Sequence, residues 1–186
     1  MGFWRTCKCR TASSGGHGRI DGALPLWAWL LHAPFISAVW LGWALRRWRS
    51  SEAARSEVVP GVWLGRRPTR AEVRAWRLRA TVDLTAELPG VPAADYVCLP
   101  TVDGTAPTLA RISEGVHRLH HMERPVLVHC LAGHSRSATV VAAWLIDAGH
   151  ASSVEEALAS IRCARPAARL TDGQMERLRR WVAARV

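Results

Sequence analysis

Lysine is all but missing. The 186 residues hold one, against 24 arginines, a bias that points to a GC-rich and hence bacterial genome. Missing too are a zinc-finger spacing, an aromatic strand of the RNP type and a basic helix, so the formal charge of +10 does not read as a nucleic-acid footprint, and no nucleic-acid partner is expected. Cysteine is scarce: the five present are odd in number and irregular in spacing, which argues against a disulfide framework. Cys7 and Cys9 form a lone C-x-C, short of the four ligands of a structural zinc site. His120 and His121 are neighbours that diverge by about 100° on a helix and make a poor chelate. No metal and no other cofactor is therefore expected. Cys98 and Cys163 sit among apolar residues and read as buried hydrophobes, which leaves Cys130.

Charge is missing locally as well. From Gly22 to Leu45, "GALPLWAWLLHAPFISAVWLGWAL" contains no Asp, Glu, Lys or Arg. Its 24 residues are enough to cross a bilayer core of about 30 Å. Trp27, Trp29, Trp40 and Trp43 lie toward its ends, where an aromatic belt would sit, and Arg46, Arg47 and Arg49 follow. No signal-peptide cleavage site is evident. Pro25, His32 and Pro34 weaken a straight span and leave open a bent helix lying in the interface. Residues 1–50 carry seven basic residues against one acid, which makes an anionic membrane surface the expected partner of this end. The organisation expected is a flexible basic leader (1–21), an apolar transmembrane or interfacial segment (22–49), a polar linker (50–57) and a folded domain (58–186).

Within that domain, element types alternate. Strands are expected at 61–65, 80–85, 95–100 and 125–130. Helices are expected from the capping box Thr69-x-x-Glu72 to about Arg79, after Thr108 with Leu109, Ile112, Val116 and Leu119 on one face, and at about 137–149, 153–164 and 171–184. "PVLVHC" is apolar without alternation, as a strand buried on both faces would be. The pattern implies an α/β fold with a mostly parallel central sheet flanked by helices.

"VLVHCLAGHSRSATVV" then places a cysteine at the carboxyl end of that strand and an arginine at the start of the next helix. Ligands of open α/β sheets bind at such ends, and a helix N-terminus offers free amides and a positive dipole. Gly133 lets the chain curve with amides inward, Arg136 can fork two oxygens of a tetrahedral dianion, and the positive surroundings favour a Cys130 thiolate. The loop Leu131-Ala132-Gly133-His134-Ser135 thus reads as a phosphate cradle, and the expected substrate is a phosphomonoester.

His129-Cys130-x5-Arg136-Ser137 resembles the signature of the protein-tyrosine-phosphatase superfamily, and the short domain with "HSRSATVVAAWLI" resembles its dual-specificity branch. The resemblance covers most of residues 58–184. It implies the cysteine-phosphatase fold and hydrolysis through a cysteinyl-phosphate on Cys130, without a metal. It further implies Asp103, in the loop "LPTVDGTAPT", as proton donor to the leaving group, Ser137 as the hydroxyl that assists breakdown of the intermediate, and His129 as the residue that orients the loop and tunes the thiol. Asp83, inside a strand, and Asp95, at the start of one, read as structural. "LPTVDGTAPTLARISEGV" with the loop resembles the phosphatidylglycerophosphate phosphatase subgroup, which implies a lipid phosphate; that subgroup carries Lys and Arg where Leu131 and His134 stand here. Phosphotyrosine or phosphoserine/threonine proteins remain alternative substrates, and a non-catalytic phosphate-binding module is a third reading. A thiolate survives best in reducing surroundings, so the domain is expected to face the cytoplasm. Cationic clusters on both flanks of the apolar segment favour an interfacial helix that keeps both on that side.

Overall fold

In a computed structural model of the chain, residues 26–185 are described. The expected leader at 1–21, with Cys7, Cys9, Arg5, Lys8, Arg10 and Arg19, lies outside them, as do the side chains of Trp27, Trp29, His32 and Arg46.

The elements run α1 (Leu26–Arg49), β1 (Arg55–Val59), β2 (Val62–Arg66), α2 (Arg70–Ala75), β3 (Ala80–Thr85), β4 (Asp95–Thr101), α3 (Leu109–His121), β5 (Val126–Cys130), α4 (Arg136–Asp147), α5 (Val154–Ala164) and α6 (Asp172–Ala183). Five strands form one sheet in the order β1-β2-β5-β3-β4. Only β1 is antiparallel; β2, β5, β3 and β4 run parallel and end on one edge. β5 is central and wholly buried, which is why its sequence shows no polar alternation.

The side-chain alternation of β5 divides two layers. Val126, Val128 and Cys130 join the main core, into which α3, α4, α5 and α6 pack Ile112, Val116, Val140, Leu145, Leu158 and Leu178. Leu127 points to the other face, into a smaller cluster with Val73, Leu78 and Val91. By the same alternation Cys130 faces the α4 side while His129 faces away from it. α2 opens with the expected capping box: the Thr69 side chain accepts from the Glu72 amide, and the Glu72 carboxylate accepts from the Thr69 amide. It closes earlier than expected, at Ala75, because Arg77 adopts φ 51° to turn the chain into β3 and deliver Leu78 to the smaller core.

Three expectations need correction. Residues 55–57, read as linker, belong to β1, which forms a hairpin with β2 through Gly61 at φ 77°. Leu109 is exposed, the buried face of α3 being Ile112, Gly115, Val116 and Leu119. Cys163 is exposed on the outer side of α5 and Cys98 is only partly buried, since flanking apolar residues do not say which face a position takes. Among the described residues, no helix is long and apolar enough to cross a membrane. α1 runs for 24 residues with Pro34 inside it.

Candidate active site

Three parallel strands and one helix start build the site. β5 ends on Cys130, α4 begins at Arg136, and Leu131 to Ser135 form the loop between them. The loop's carbonyls are held on the outside. The Arg67 amide donates to Leu131 O, the Arg165 guanidinium to Ala132 O and Gly133 O, and the Arg169 amide to His134 O. With the oxygens tied outward, the amides are left to face in, and the Gly133 amide donates to Cys130 Sγ at 3.2 Å. Gly133 is required twice over. Its φ is +77°, and a Cβ there would come within 2.2 Å of the Gly65 carbonyl group.

Cys130 is buried and takes a second hydrogen bond from the Ser137 hydroxyl at 3.4 Å. Burial pushes the thiol up, but the Arg136 charge, the Ser137 hydroxyl and the amides of Ser137 and Gly133 together outweigh it and hold the thiol below its ordinary value. The structure thus brings Cys130, Gly133, Arg136 and Ser137 together around one point.

Arg136 is itself buried. One terminal nitrogen donates to Glu87 Oε1 at 2.8 Å and to Thr101 O at 2.6 Å. The other lies 3.0 Å from Asp103 Oδ1. Burial would lower its pKa, but Cys130, Glu87 and Asp103 raise it above the ordinary value, so the charge is fixed. Its Nε, also buried, has no hydrogen-bond partner among the described residues. An orphaned donor on a buried cation, beside inward amides and a lowered thiol, is what a bound tetrahedral oxyanion would complete.

Asp103 lies on the loop after β4 and reaches the site from its rim, with a side chain 67% exposed. Its amide donates to Glu87 Oε1 at 2.8 Å. Glu87, which sequence reasoning missed, therefore bridges the arginine and the aspartate loop. The available signal was its place just beyond β3, at the carboxyl edge where ligands of such sheets bind.

His129 lies on the opposite face of β5, fully buried, with Nδ1 3.6 Å from Asp83 Oδ1. Burial pushes its pKa down more than Asp83 raises it, so the ring is neutral. Asp83 also accepts from the Thr85 amide and the Tyr96 hydroxyl, which fits its structural reading. His134 is on the loop's rim, its Nε2 2.7 Å from Glu52. Arg165, also missed, is a buried cation that sequence composition alone makes look like a solvated one.

The comparisons with known proteins agree with this geometry. The family model for the dual specificity phosphatase catalytic domain matches residues 70–184. The rat "Phosphatidylglycerophosphatase and protein-tyrosine phosphatase 1" is 43% identical over 94 residues, which are 47% of this chain and 48% of that protein. Mouse "Dual specificity protein phosphatase 22" is 30% identical over 122 residues, 60% of this chain and 66% of the relative. The chain thus spans about half the length of the first of these relatives and about two thirds of the second. Among solved structures, that of PTPMT1 superposes with a TM-score of 0.59 at 30% identity, covering 70% of this chain and 97% of that one. The sheet order, the cysteine loop and the matched residues lead to one family: this chain belongs to the dual specificity phosphatases, by its catalytic domain.

Proposed function

We propose that the protein hydrolyses phosphomonoesters through a cysteinyl-phosphate, at a membrane surface, with a lipid phosphate such as phosphatidylglycerophosphate as substrate. The observation that carries the chemistry is the lowered Cys130 thiol inside a cradle whose buried Arg136 Nε has no partner. The thiolate attacks phosphorus and the P–O bond to the alcohol breaks. Asp103 gives the departing oxygen its proton, and the loop amides and Arg136 hold the equatorial oxygens as charge builds on them. Water then cleaves the S–P bond, with the Ser137 hydroxyl placed to stabilise the sulfur as it leaves. His129, neutral and buried behind the loop, positions Cys130 and does not touch substrate.

The lipid reading rests on the similarity to the rat phosphatidylglycerophosphatase and on the tryptophan-rich α1 beside the loop. The phosphoprotein reading stays as a second one, because that relative's name also includes protein-tyrosine phosphatase and because Leu131 and His134 bring no fixed cation to the loop. Purified protein assayed side by side on short-chain phosphatidylglycerophosphate and on a phosphotyrosine peptide separates the two. We expect kcat/KM at least tenfold higher on the lipid, with Cys130→Ser inactive on both. Preference for the peptide would reverse the substrate assignment, and turnover by Cys130→Ser above a few per cent would remove the nucleophile.

A further inference from the structure

Beside the catalytic loop lies a pocket that the phosphate cradle does not use. Trp43 and Arg47 of α1 and Arg66 of β2 form one wall, and Leu131, Ala132 and His134 of the loop form the other. Because the second wall is the catalytic loop itself, whatever fills this pocket sits next to a phosphate held at Cys130. The natural occupant is another part of the same substrate molecule, on the alcohol side of the scissile bond.

The wall chemistry says what that part is. Arg47 and Arg66 share one carboxylate: Arg47 lies 3.2 Å from Glu72 Oε2 and Arg66 2.8 Å from Glu72 Oε1. Arg165, at the back, shares Glu52 with His134, at 3.3 and 2.7 Å. Three guanidiniums thus meet two carboxylates, and the pocket keeps a positive surplus. The Trp43 indole N–H adds an independent sign: it is buried and has no acceptor among the described residues. A buried donor without an acceptor, set among excess cations, asks for a ligand that brings anionic oxygen. An apolar or cationic leaving group would leave both unsatisfied.

We propose that this pocket binds a second anionic group of the substrate, so that the enzyme selects phosphomonoesters carrying a further phosphate or phosphodiester, with Arg47, Arg66 and Trp43 as the specificity residues. This rests on the phosphatase reading above and deepens it. The loop positions 131 and 134 lack fixed cations, and α1 and β2 supply the recognition charge from outside the loop. The shared chemistry is an anionic oxygen on the alcohol; a phospholipid headgroup and a soluble bisphosphate both provide it.

Three substrates decide the matter: p-nitrophenyl phosphate with one anion, glycerol 1,3-bisphosphate with two and no acyl chain, and short-chain phosphatidylglycerophosphate with two on a lipid. Wild type should prefer at least one two-anion substrate by tenfold or more in kcat/KM over p-nitrophenyl phosphate. In Arg47→Gln the ratio for the preferred substrate should fall about tenfold, through KM. In Trp43→Phe, which keeps the ring and removes only the N–H, it should fall about threefold. Preference for both two-anion substrates supports the pocket with either source, and preference for the lipid alone supports it with a headgroup as the source. If wild type turns over p-nitrophenyl phosphate but both variants keep the wild-type ratio, the pocket assignment is wrong and the phosphatase reading stands. Wild type inactive on all three would overturn both.

Discussion

Arg136 carries more partners than it can keep when a phosphate arrives. An incoming dianion needs Nε, which is free, and the terminal nitrogen that now faces Asp103. The other terminal nitrogen can stay with Glu87 and the Thr101 carbonyl, which hold the guanidinium in plane. Asp103 is therefore the partner displaced. An ion pair with one member so exposed is worth about 0–1 kcal/mol, so its release costs little and puts the carboxyl at the rim, where a leaving group departs. Asp103→Ala should lower kcat/KM about 10²- to 10³-fold on an alkyl phosphate and far less on p-nitrophenyl phosphate, whose phenol leaves without help. Inhibition by inorganic phosphate should be no weaker than in wild type, since a competitor for Arg136 has gone. Equal rate losses across a series of leaving groups would place the acid elsewhere. Cys130, Gly133, Arg136 and Ser137 were legible beforehand because one short stretch of chain carries the whole cradle. Glu87 was not. It stands 49 residues from Arg136 and meets it only because β3 lies beside β5 in the sheet.

At the scale of elements, the non-local pairings are what sequence patterning could not reach. Arg55–Val59 has no apolar alternation to announce a strand; it is one because β2 pairs with it and because the Arg55 guanidinium stacks 3.9 Å from the Trp63 ring. The docking of α1 is similar. Its Trp40 and Trp43 rings lie 5.1 and 5.3 Å from the buried Arg67, and its Arg47 reaches Glu72 of α2. Glu72 thereby ties α1, β2 and the start of α2 together. Burial alone would raise its pKa, but the hydrogen bond from Arg66, the Thr69 amide and the charges of Arg66 and Arg47 hold it at about 2. The folded-state pKa is depressed, so its contribution to stability is present above the ordinary value of 4.5 and is lost as pH falls through about 2. Glu72→Gln keeps the N-cap geometry and removes the charge. It should cost about 1–2 kcal/mol in urea unfolding at pH 7, and the difference from wild type should shrink steadily below pH 4.5. A difference that stays constant down to pH 2.5 would mean that Glu72 acts by shape alone.

Taken whole, the molecule presents α1 with two unlike faces. Trp40, Trp43 and Arg47 turn toward the catalytic domain. Leu41, Leu45 and Trp48, spaced four and three apart, turn outward and are 60%, 43% and 80% exposed. Such a stripe beside Arg49 suits a helix lying in the headgroup region of an anionic bilayer, its apolar side chains a few ångströms deep. It suits a span poorly, since one face is already committed to protein and no described helix is long and apolar enough to cross. The same placement would bring the catalytic loop, which lines a pocket together with α1, close to the lipid surface. The full chain should therefore co-sediment with vesicles containing phosphatidylglycerol and not with neutral phosphatidylcholine vesicles, and raising the salt should release part of it. Leu41→Glu with Leu45→Glu should weaken binding at least tenfold while activity on p-nitrophenyl phosphate shows that the domain is folded. Washing native membranes with alkaline carbonate should strip the wild-type protein away. Protein that resists that wash would have a transmembrane anchor, and protein that binds neutral and anionic vesicles alike would owe its attachment to something other than this apolar stripe with its flanking arginine.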